Sequence, residues 1–158
     1  MLKNKNLKGG NMLKKIFVPV ILLFFSLAGA ASAADELRHL DIDLALQNVK
    51  VKEAVLPDIE LYFAGQKHPA VQKEYGIFRT SKRTNSFMKD KTDSCEWALA
   101  SALLHLQESA VKHGGNAVID ITSNVKNQKN PSSVQYDCLV GGMMVNVALE
   151  AKIVQLAK

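Results

Sequence analysis

Apolar residues recur at helical spacing in the middle of the chain. Between Asp93 and His113 the repeating positions are Cys95, Leu99, Ala102, Leu103, Leu106 and Ala110. Such a stripe predicts an amphipathic helix with one buried face. Asp93 followed by Glu96 is typical of a helix start, and Gly114-Gly115 is typical of a helix end. The pattern therefore predicts one long helix that begins after Asp93 and runs to His113.

The chain after this helix alternates apolar with polar positions, which is the pattern of half-buried strands. Three strands are predicted, over Asn116 to Val125, Ser133 to Val140 and Met143 to Val154. Asn127 to Ser133 is predicted to be a hairpin connection, and Gly141-Gly142 a bend. The predicted core-facing residues are Ala117, Ile119, Ile121 and Val125, then Val134, Tyr136, Cys138 and Val140, and finally Met143, Val145, Val147, Leu149, Ala151 and Ile153.

The half of the chain before the helix is less regular. Leu37 to Ile42 and Ile59 to Ala64 have the composition of strands, Leu44 to Val51 that of a short helix, and Gly76 to Thr80 that of another strand. Together the segments predict an α+β fold, in which one principal helix packs on a mainly antiparallel sheet.

The first 33 residues have the order of a secretory signal peptide. Lysines precede an apolar run from Ile16 to Ala28, and the small residues Ala31-Ser32-Ala33 follow it. The alternative is a membrane anchor, but the run is shorter than the roughly 20 residues that span a bilayer. The residue directly after the predicted cleavage site is Ala34 and not Cys, so we expect no lipid anchor there. The sequence predicts cleavage after Ala33, a single domain over residues 34–158, and a periplasmic or secreted protein.

Charge argues against nucleic acid as a partner once the leader is removed. The whole chain holds 20 basic and 15 acidic residues. Five lysines and no acidic residue lie in the leader, so 15 residues of each sign remain in the mature part. Nucleic-acid-binding domains usually carry a basic excess, so the net charge gives no reason to expect DNA or RNA binding.

The chain has two cysteines, Cys95 and Cys138, and both follow the leader. Disulfides form and persist in the compartments that exported proteins enter. Both residues lie on the apolar face of their predicted elements, so we expect a disulfide between them. In the chain-entropy description it would contribute roughly 4 kcal/mol to stability.

The mature chain resembles a family of small exported bacterial proteins of uncharacterised function, some of which carry the name excinuclease ATPase subunit. The resemblance lies in Trp97 to Val118, in the strand with Cys138 and in the closing strand. It extends to the segments Phe63 to Pro69 and Lys82 to Phe87. The chain has no G-x-x-x-x-G-K-S/T phosphate loop, so it lacks the backbone cradle and the Lys that an ATPase of that kind needs.

A more distant resemblance covers about Cys95 to Ala151, through the helix, the Gly-Gly-Asn-Ala-Val turn and the strands after it. It is to the envelope-stress sensor lipoprotein of the Rcs phosphorelay and to the YbjQ-like family, described as putative heavy-metal binding. The chain departs from the sensor in having no lipobox Cys. The resemblance implies a signalling role or a metal-related role.

No pattern of residues identifies a catalytic or metal site. The chain has no C-x-x-C, H-E-x-x-H or G-x-S-x-G, and His105 and His113 are too far apart along the helix to share one metal ion. We therefore expect no catalytic residues, no cofactor and no metal ligands. The predicted function is a binding or envelope-interaction module, and the alternative is a small hydrolase or a metal-binding protein whose site is assembled in space.

Two polar segments interrupt the apolar ones and carry the candidate binding residues. They are Gly65 to Pro69 and Ser81 to Ser86, and the candidates within them are Lys67, His68, Arg83 and Asn85. Arg offers a planar fork of donors and Lys a point charge, a combination that suits a carboxylate or a phosphate. We hypothesise that the two segments form one surface for an envelope protein or an anionic ligand. The alternative is that both are solvated turns.

Overall fold

The computed structural model describes residues 35–157. The predicted signal peptide lies outside the described residues, and within them no helix is long and apolar enough to cross a membrane. The elements in chain order are β1 Glu36–Asp41, α1 Ile42–Gln47, α2 Val49–Ala54, β2 Glu60–Phe63, β3 Val71–Asn85, α3 Lys91–His113, β4 Ala117–Val125, β5 Gln128–Asn130, β6 Gln135–Val140 and β7 Met144–Leu156.

The seven strands of the described chain form one sheet around β7. Along one edge β7 pairs with β3, and along the other it pairs with β4 and β6. β1 extends the sheet beyond β6, while β5 and β2 both pair with β4. Every pairing is antiparallel except that of β2 with β4. The predicted α+β class, with a main helix on a mostly antiparallel sheet, is confirmed.

The long helix α3 packs on one face of the sheet, chiefly over β3 and β7. It ends where the sequence predicts, because Gly114 adopts a left-handed φ of 79° and its N–H bonds back to the last turn. The predicted start is wrong. Asp90, and not Asp93, caps the helix, and its carboxylate accepts a hydrogen bond from the Asp93 N–H at 2.8 Å. Glu96 binds Asn48 instead of completing a capping box.

The disulfide between Cys95 and Cys138 is confirmed and joins α3 to β6. Both residues are completely buried, and they belong to the cluster of apolar side chains between the helix and the sheet. β7 contributes alternate residues to this cluster, as its sequence pattern predicts: Val145, Val147, Leu149, Ala151 and Ile153. We call the side of the sheet that carries them the inner face.

The prediction that the apolar residues of β4 share one face is wrong. The register with β7 shifts between Ile119 and Thr122, and Asp120 has a φ of 53°. This bulge changes which side each residue faces. Ile121 packs in the core under α3, whereas Ala117 and Ile119 form a second small apolar cluster with Val154 and Leu156.

The predicted short helix is two helices that meet at Asn48. This residue ends α1, and its side chain accepts a hydrogen bond from Lys50 N–H at 2.9 Å to start α2. The chain then passes the buried Gln107 of α3, whose amide bonds to backbone groups of Leu56 and Ile59 at 2.7–2.9 Å. These bonds fix the entrance to β2.

β3 is three times as long as the predicted strand Gly76 to Thr80. It continues through Ser81 to Asn85, so the prediction that this polar segment interrupts a strand is wrong. Polar side chains are accommodated because the sheet here is covered on one face only. Two predicted core residues are also exposed: Val134 precedes β6, and Met143 lies in the turn before β7.

The hydroxyl group of Tyr136 in β6 is a buried polar atom with no hydrogen-bond partner among the described residues. Burial, and to a smaller extent the charge of Glu96, raises the pKa of Tyr136, so the hydroxyl stays neutral. Because an unsatisfied buried donor lowers stability, we expect Tyr136→Phe to raise the free energy of unfolding by about 1 kcal/mol. Urea denaturation measures the change.

Tyr62→Phe is the matched control for this substitution. The Tyr62 hydroxyl donates to the Glu60 carboxylate at 2.7 Å, so its loss should leave stability unchanged or slightly lower. A clear loss of stability in Tyr136→Phe would mean that the Tyr136 hydroxyl does have a partner.

Candidate functional site: a polar cleft on the outer face of the sheet

The face of the sheet opposite α3, here called the outer face, carries four direct cross-strand pairs in which the β3 residue is polar and two of the β7 residues, Glu150 and Asn146, are polar. The register gives these pairs as Arg79 with Glu150, Ser81 with Ala148, Arg83 with Asn146 and Asn85 with Met144. Side chains alternate between the two faces of a strand, so all of these lie on the face that the helix leaves uncovered.

A cleft of about 400 Å³ opens on the outer face. We call it the outer cleft, and its polar lining comes from Asp35, Ser81, Arg83, Asn124, Lys126, Asn127 and Asn146. A second cavity of about 280 Å³ continues it past Arg83 toward Gly141 and Met144. Four residues border both cavities and so lie at the centre of this region: Asp35, Arg83, Leu139 and Asn146.

The rim of the outer cleft is formed by the turn between β4 and β5. Lys126 and Asn127 have φ values of 53° and 61°. Two consecutive residues with positive φ between paired antiparallel strands make a two-residue hairpin turn of the type that matches the sheet twist. This turn places the Lys126 and Asn127 side chains beside the cleft, although the turn is remote from β3 in sequence.

Arg79 and Arg83 lie on the same face of β3, but their surroundings differ. Arg79 Nε lies 2.6 Å from Glu150 Oε2, and Lys129 binds the other oxygen of that carboxylate. The hydrogen bonds from Lys129 and Arg79 hold the pKa of Glu150 below its ordinary value. Within the described chain no carboxylate lies within 4.0 Å of the Arg83 guanidinium.

Asn146 is held in a fixed orientation next to Arg83. Its side-chain nitrogen donates to Ser81 Oγ at 2.8 Å and to the Lys82 carbonyl at 3.1 Å. The amide group therefore links β7 to β3 at the floor of the outer cleft. Both amide protons of Asn146 are used in these two bonds, so its oxygen, an acceptor, is the polar atom that it has left for a ligand.

The structure does not bring the four predicted binding residues together. Lys67 and His68 precede the start of β3, where Val71 pairs with Leu156. Arg83 pairs with Asn146, ten residues back along β7. At about 3.3 Å per residue, the Val71–Leu156 pair lies roughly 30 Å from the Arg83–Asn146 pair. Lys67 and His68 are therefore at the opposite end of β3 from Arg83.

Lys67 and His68 lie in the connection between β2 and β3. The Lys67 side chain is exposed. His68 Nδ1 is 2.8 Å from the Pro69 carbonyl oxygen, and the ring packs edge-on against Tyr62. These local contacts account for His68 without a ligand, and a binding role for either residue stays a prediction.

Asn85 lies at the end of β3, on the same face as Arg83. Its side chain accepts a hydrogen bond from Phe87 N–H at 2.8 Å and so shapes the turn that leaves the strand. Arg83 is therefore the predicted residue that the structure places in the outer cleft, while Asn85 lies beside it.

A second polar cluster lies near the edge of the sheet, where β1 pairs with β6. The carboxylate of Asp137 is 97% buried and lies 2.7 Å from His39 Nδ1. Asn130 donates to both of its oxygens at 3.0 and 3.1 Å, and the Asp137 N–H donates to Ser123 Oγ at 2.8 Å. This cluster fastens β1 and β5 to the sheet.

His39 and Asp137 have the geometry of a base and its orienting carboxylate in a hydrolase. Across residues 35–157, however, no hydroxyl group is hydrogen-bonded to the His39 ring, so no nucleophile completes the arrangement. The same part of the chain holds no group of three His, Cys, Asp or Glu side chains placed to bind a metal ion.

No family model, no curated protein and no solved structure matches the chain. The resemblances drawn from its sequence therefore stay predictions, and the residues of the outer cleft must carry any functional argument.

Proposed function

We propose that the protein is a binding module that works in the periplasm or outside the cell and holds an anionic group of a ligand or envelope partner at Arg83. The observation that carries the proposal is the contrast on the outer face. Arg79 is paired with a carboxylate of the protein itself, whereas Arg83 faces the outer cleft with no such partner among the described residues.

The surroundings of Arg83 support an anionic ligand group. Lys126 adds a second positive charge at the rim, and the amides of Asn124 and Asn127 offer neutral donors. The guanidinium can donate two parallel hydrogen bonds to a carboxylate or a phosphate. Asp35 is the acidic residue of this lining, so a ligand that also carries a donor group would be accommodated.

The location is supported by two observations. The first 33 residues have the order of a signal peptide, and the disulfide is of the kind that persists in oxidising compartments. The proposal includes no catalytic step, because the His39–Asp137 pair lies outside the outer cleft and has no hydroxyl partner in the described chain.

An NMR titration of the purified protein with inorganic phosphate, and separately with acetate, tests the site. We expect shifts at Arg83 Nε–H and at the side-chain amides of Asn124, Asn127 and Asn146. Arg83→Gln should weaken phosphate binding about tenfold, which corresponds to about 1.4 kcal/mol and is near the lower range for a hydrogen bond to a charged group.

Lys67→Gln is the matched control, because it removes one positive charge at the other end of β3. Its dissociation constant for phosphate should stay within about twofold of the wild-type value if the loss in Arg83→Gln is local and not a general effect of net charge. Equal weakening in the two variants, or shifts that avoid the outer cleft, would contradict the proposed site.

A further inference from the structure

β3 is a long strand with one open edge. Its 15 residues pair with β7 along one side. In the described part of the chain no other strand pairs with it. An open edge presents unpaired N–H and C=O groups to which another extended chain can bind as a further strand.

The hydrogen-bond pattern shows which residues offer these groups. Ser86 N–H donates to the Met143 carbonyl at 2.8 Å, and the register continues with Thr84 opposite Val145. Hydrogen-bonded pairs alternate with non-bonded pairs in an antiparallel ladder. The residues whose backbone groups point away from β7 are therefore Ile77, Arg79, Ser81, Arg83 and Asn85.

These residues are also the ones whose side chains lie on the outer face. The open edge and the outer cleft are thus presented by the same part of β3. A strand added there would place every second side chain on the outer face, next to the side chains of Ser81 and Arg83.

The charge of β3 determines which kind of strand can pair favourably with its open edge. The strand contains four basic residues, Lys73, Arg79, Lys82 and Arg83, and one acidic residue, Glu74. Two copies of the protein joined through this edge would bring like charges together, which is destabilising across paired strands. An acidic strand would instead place carboxylates next to Arg83.

We infer that the open edge of β3 binds an extended acidic segment of a partner protein as an additional strand, with a carboxylate of that segment at Arg83. The inference rests on the proposed anion site and names its ligand. Backbone hydrogen bonds to β3 supply affinity in this mode, and the side chains on the outer face supply selectivity.

A blocked peptide of alternating Glu and Val is the probe, and the same peptide with Lys for Glu is its control. Amide hydrogen exchange is followed by NMR with and without the peptide. The Glu peptide should slow exchange at Arg83, Ser81 and Arg79 at least about tenfold. The N–H groups of Thr80 and Lys82, which already bond to β7, should change little, and the Lys peptide should protect none of them.

Ser81→Pro and Ser81→Ala form a matched pair of variants. Both remove the hydroxyl that Asn146 contacts, but only Pro removes the N–H that points to the open edge. Proline is tolerated in edge strands where no ladder bond is lost. Ser81→Pro should bind the Glu peptide at least about tenfold more weakly than Ser81→Ala, with both variants giving native-like amide spectra.

Each result has a distinct meaning. Phosphate binding at Arg83 without alternating amide protection by the Glu peptide would overturn the added strand and leave the anion site standing. Amide protection without phosphate binding would retain the strand and reject the anion site. Equal binding of the Glu and Lys peptides, equal binding by the Pro and Ala variants, or protection that depends on protein concentration without peptide would overturn the inference.

Discussion

Replacing Cys95 and Cys138 together by Ala is expected to lower the free energy of unfolding by about 5 kcal/mol. The bridge joins residues 43 apart in sequence, and in the chain-entropy description the loss of a loop of that size accounts for about 4 kcal/mol. Removing the two buried sulfur atoms from the packed apolar cluster adds about 1 kcal/mol. Urea denaturation of the oxidised wild type and of the double variant measures the difference.

The dependence on urea separates this mechanism from simple loss of packing. Without the bridge the unfolded chain is less compact, so the slope of free energy against urea should increase in the double variant. Wild-type protein unfolded under reducing conditions should behave like the variant. A loss below about 1 kcal/mol with an unchanged slope would show that the bridge contributes little to stability.

The sequence predicts elements best where packing follows a local period. The stripe through α3 and the alternation in β7 both indicate the buried positions correctly. The sequence does not identify the capping residue, because both Asp90 and Asp93 suit a helix start. The choice between them depends on tertiary contacts of the first turn of α3. Lys91 Nζ donates to backbone oxygens of Ser86, Gly141 and Gly142 at 3.0–3.2 Å, and these hydrogen bonds anchor that turn.

Elements defined by pairing partners are harder to predict. The second half of β3 has few apolar residues, and it is a strand because β7, more than sixty residues later, supplies its ladder. In β4 the bulge at Asp120 interrupts an alternation that looks regular in the sequence. The positive φ of Asp120 is tolerated by this residue type, but its presence does not by itself reveal a bulge.

The candidate site could be predicted only in part for the same reason. The donor chemistry of Arg83 is visible in the sequence, but its neighbours Asn124, Asn127 and Asn146 come from β4, the turn after it and β7, whose placement beside β3 has no local signal. Asn146 alternates with apolar residues in the closing strand, and this pattern predicts that it lies on the outer face. The pattern does not show that Asn146 pairs with Arg83. His39 and Asp137 are 98 residues apart, and no local pattern joins them.

The proposed ligand mode also explains why β3 combines a free edge with basic side chains. A long open edge is a hazard because identical chains can pair through it, and positive charge reduces that risk. The same positive charge favours pairing with an acidic strand. Arg79 is already neutralised by Glu150, so the selectivity of the edge depends on Arg83.

Gly115→Ala is expected to lower the free energy of unfolding by about 2 kcal/mol, the second-largest effect on stability predicted for this protein. A Cβ at Gly115 would lie 2.8 Å from the Val154 carbonyl oxygen and 3.0 Å from Ile153 Cγ2. The backbone cannot withdraw easily, because Gly115 N–H bonds to Ala110 and Asn116 N–H bonds to the Val154 carbonyl, at 2.8 and 3.1 Å. The added methyl group must therefore separate the end of α3 from β7.

Gly142→Ala is the control, since a Cβ there meets no described atom within 4 Å. Both substitutions reduce the flexibility of the unfolded chain to a similar extent, which by itself stabilises by about 0.4–1 kcal/mol. The difference between the free energies of unfolding of the two variants, measured by urea denaturation, thus isolates the steric effect at Gly115. Equal stability of the two variants would show that the end of α3 does not approach β7 closely at Gly115.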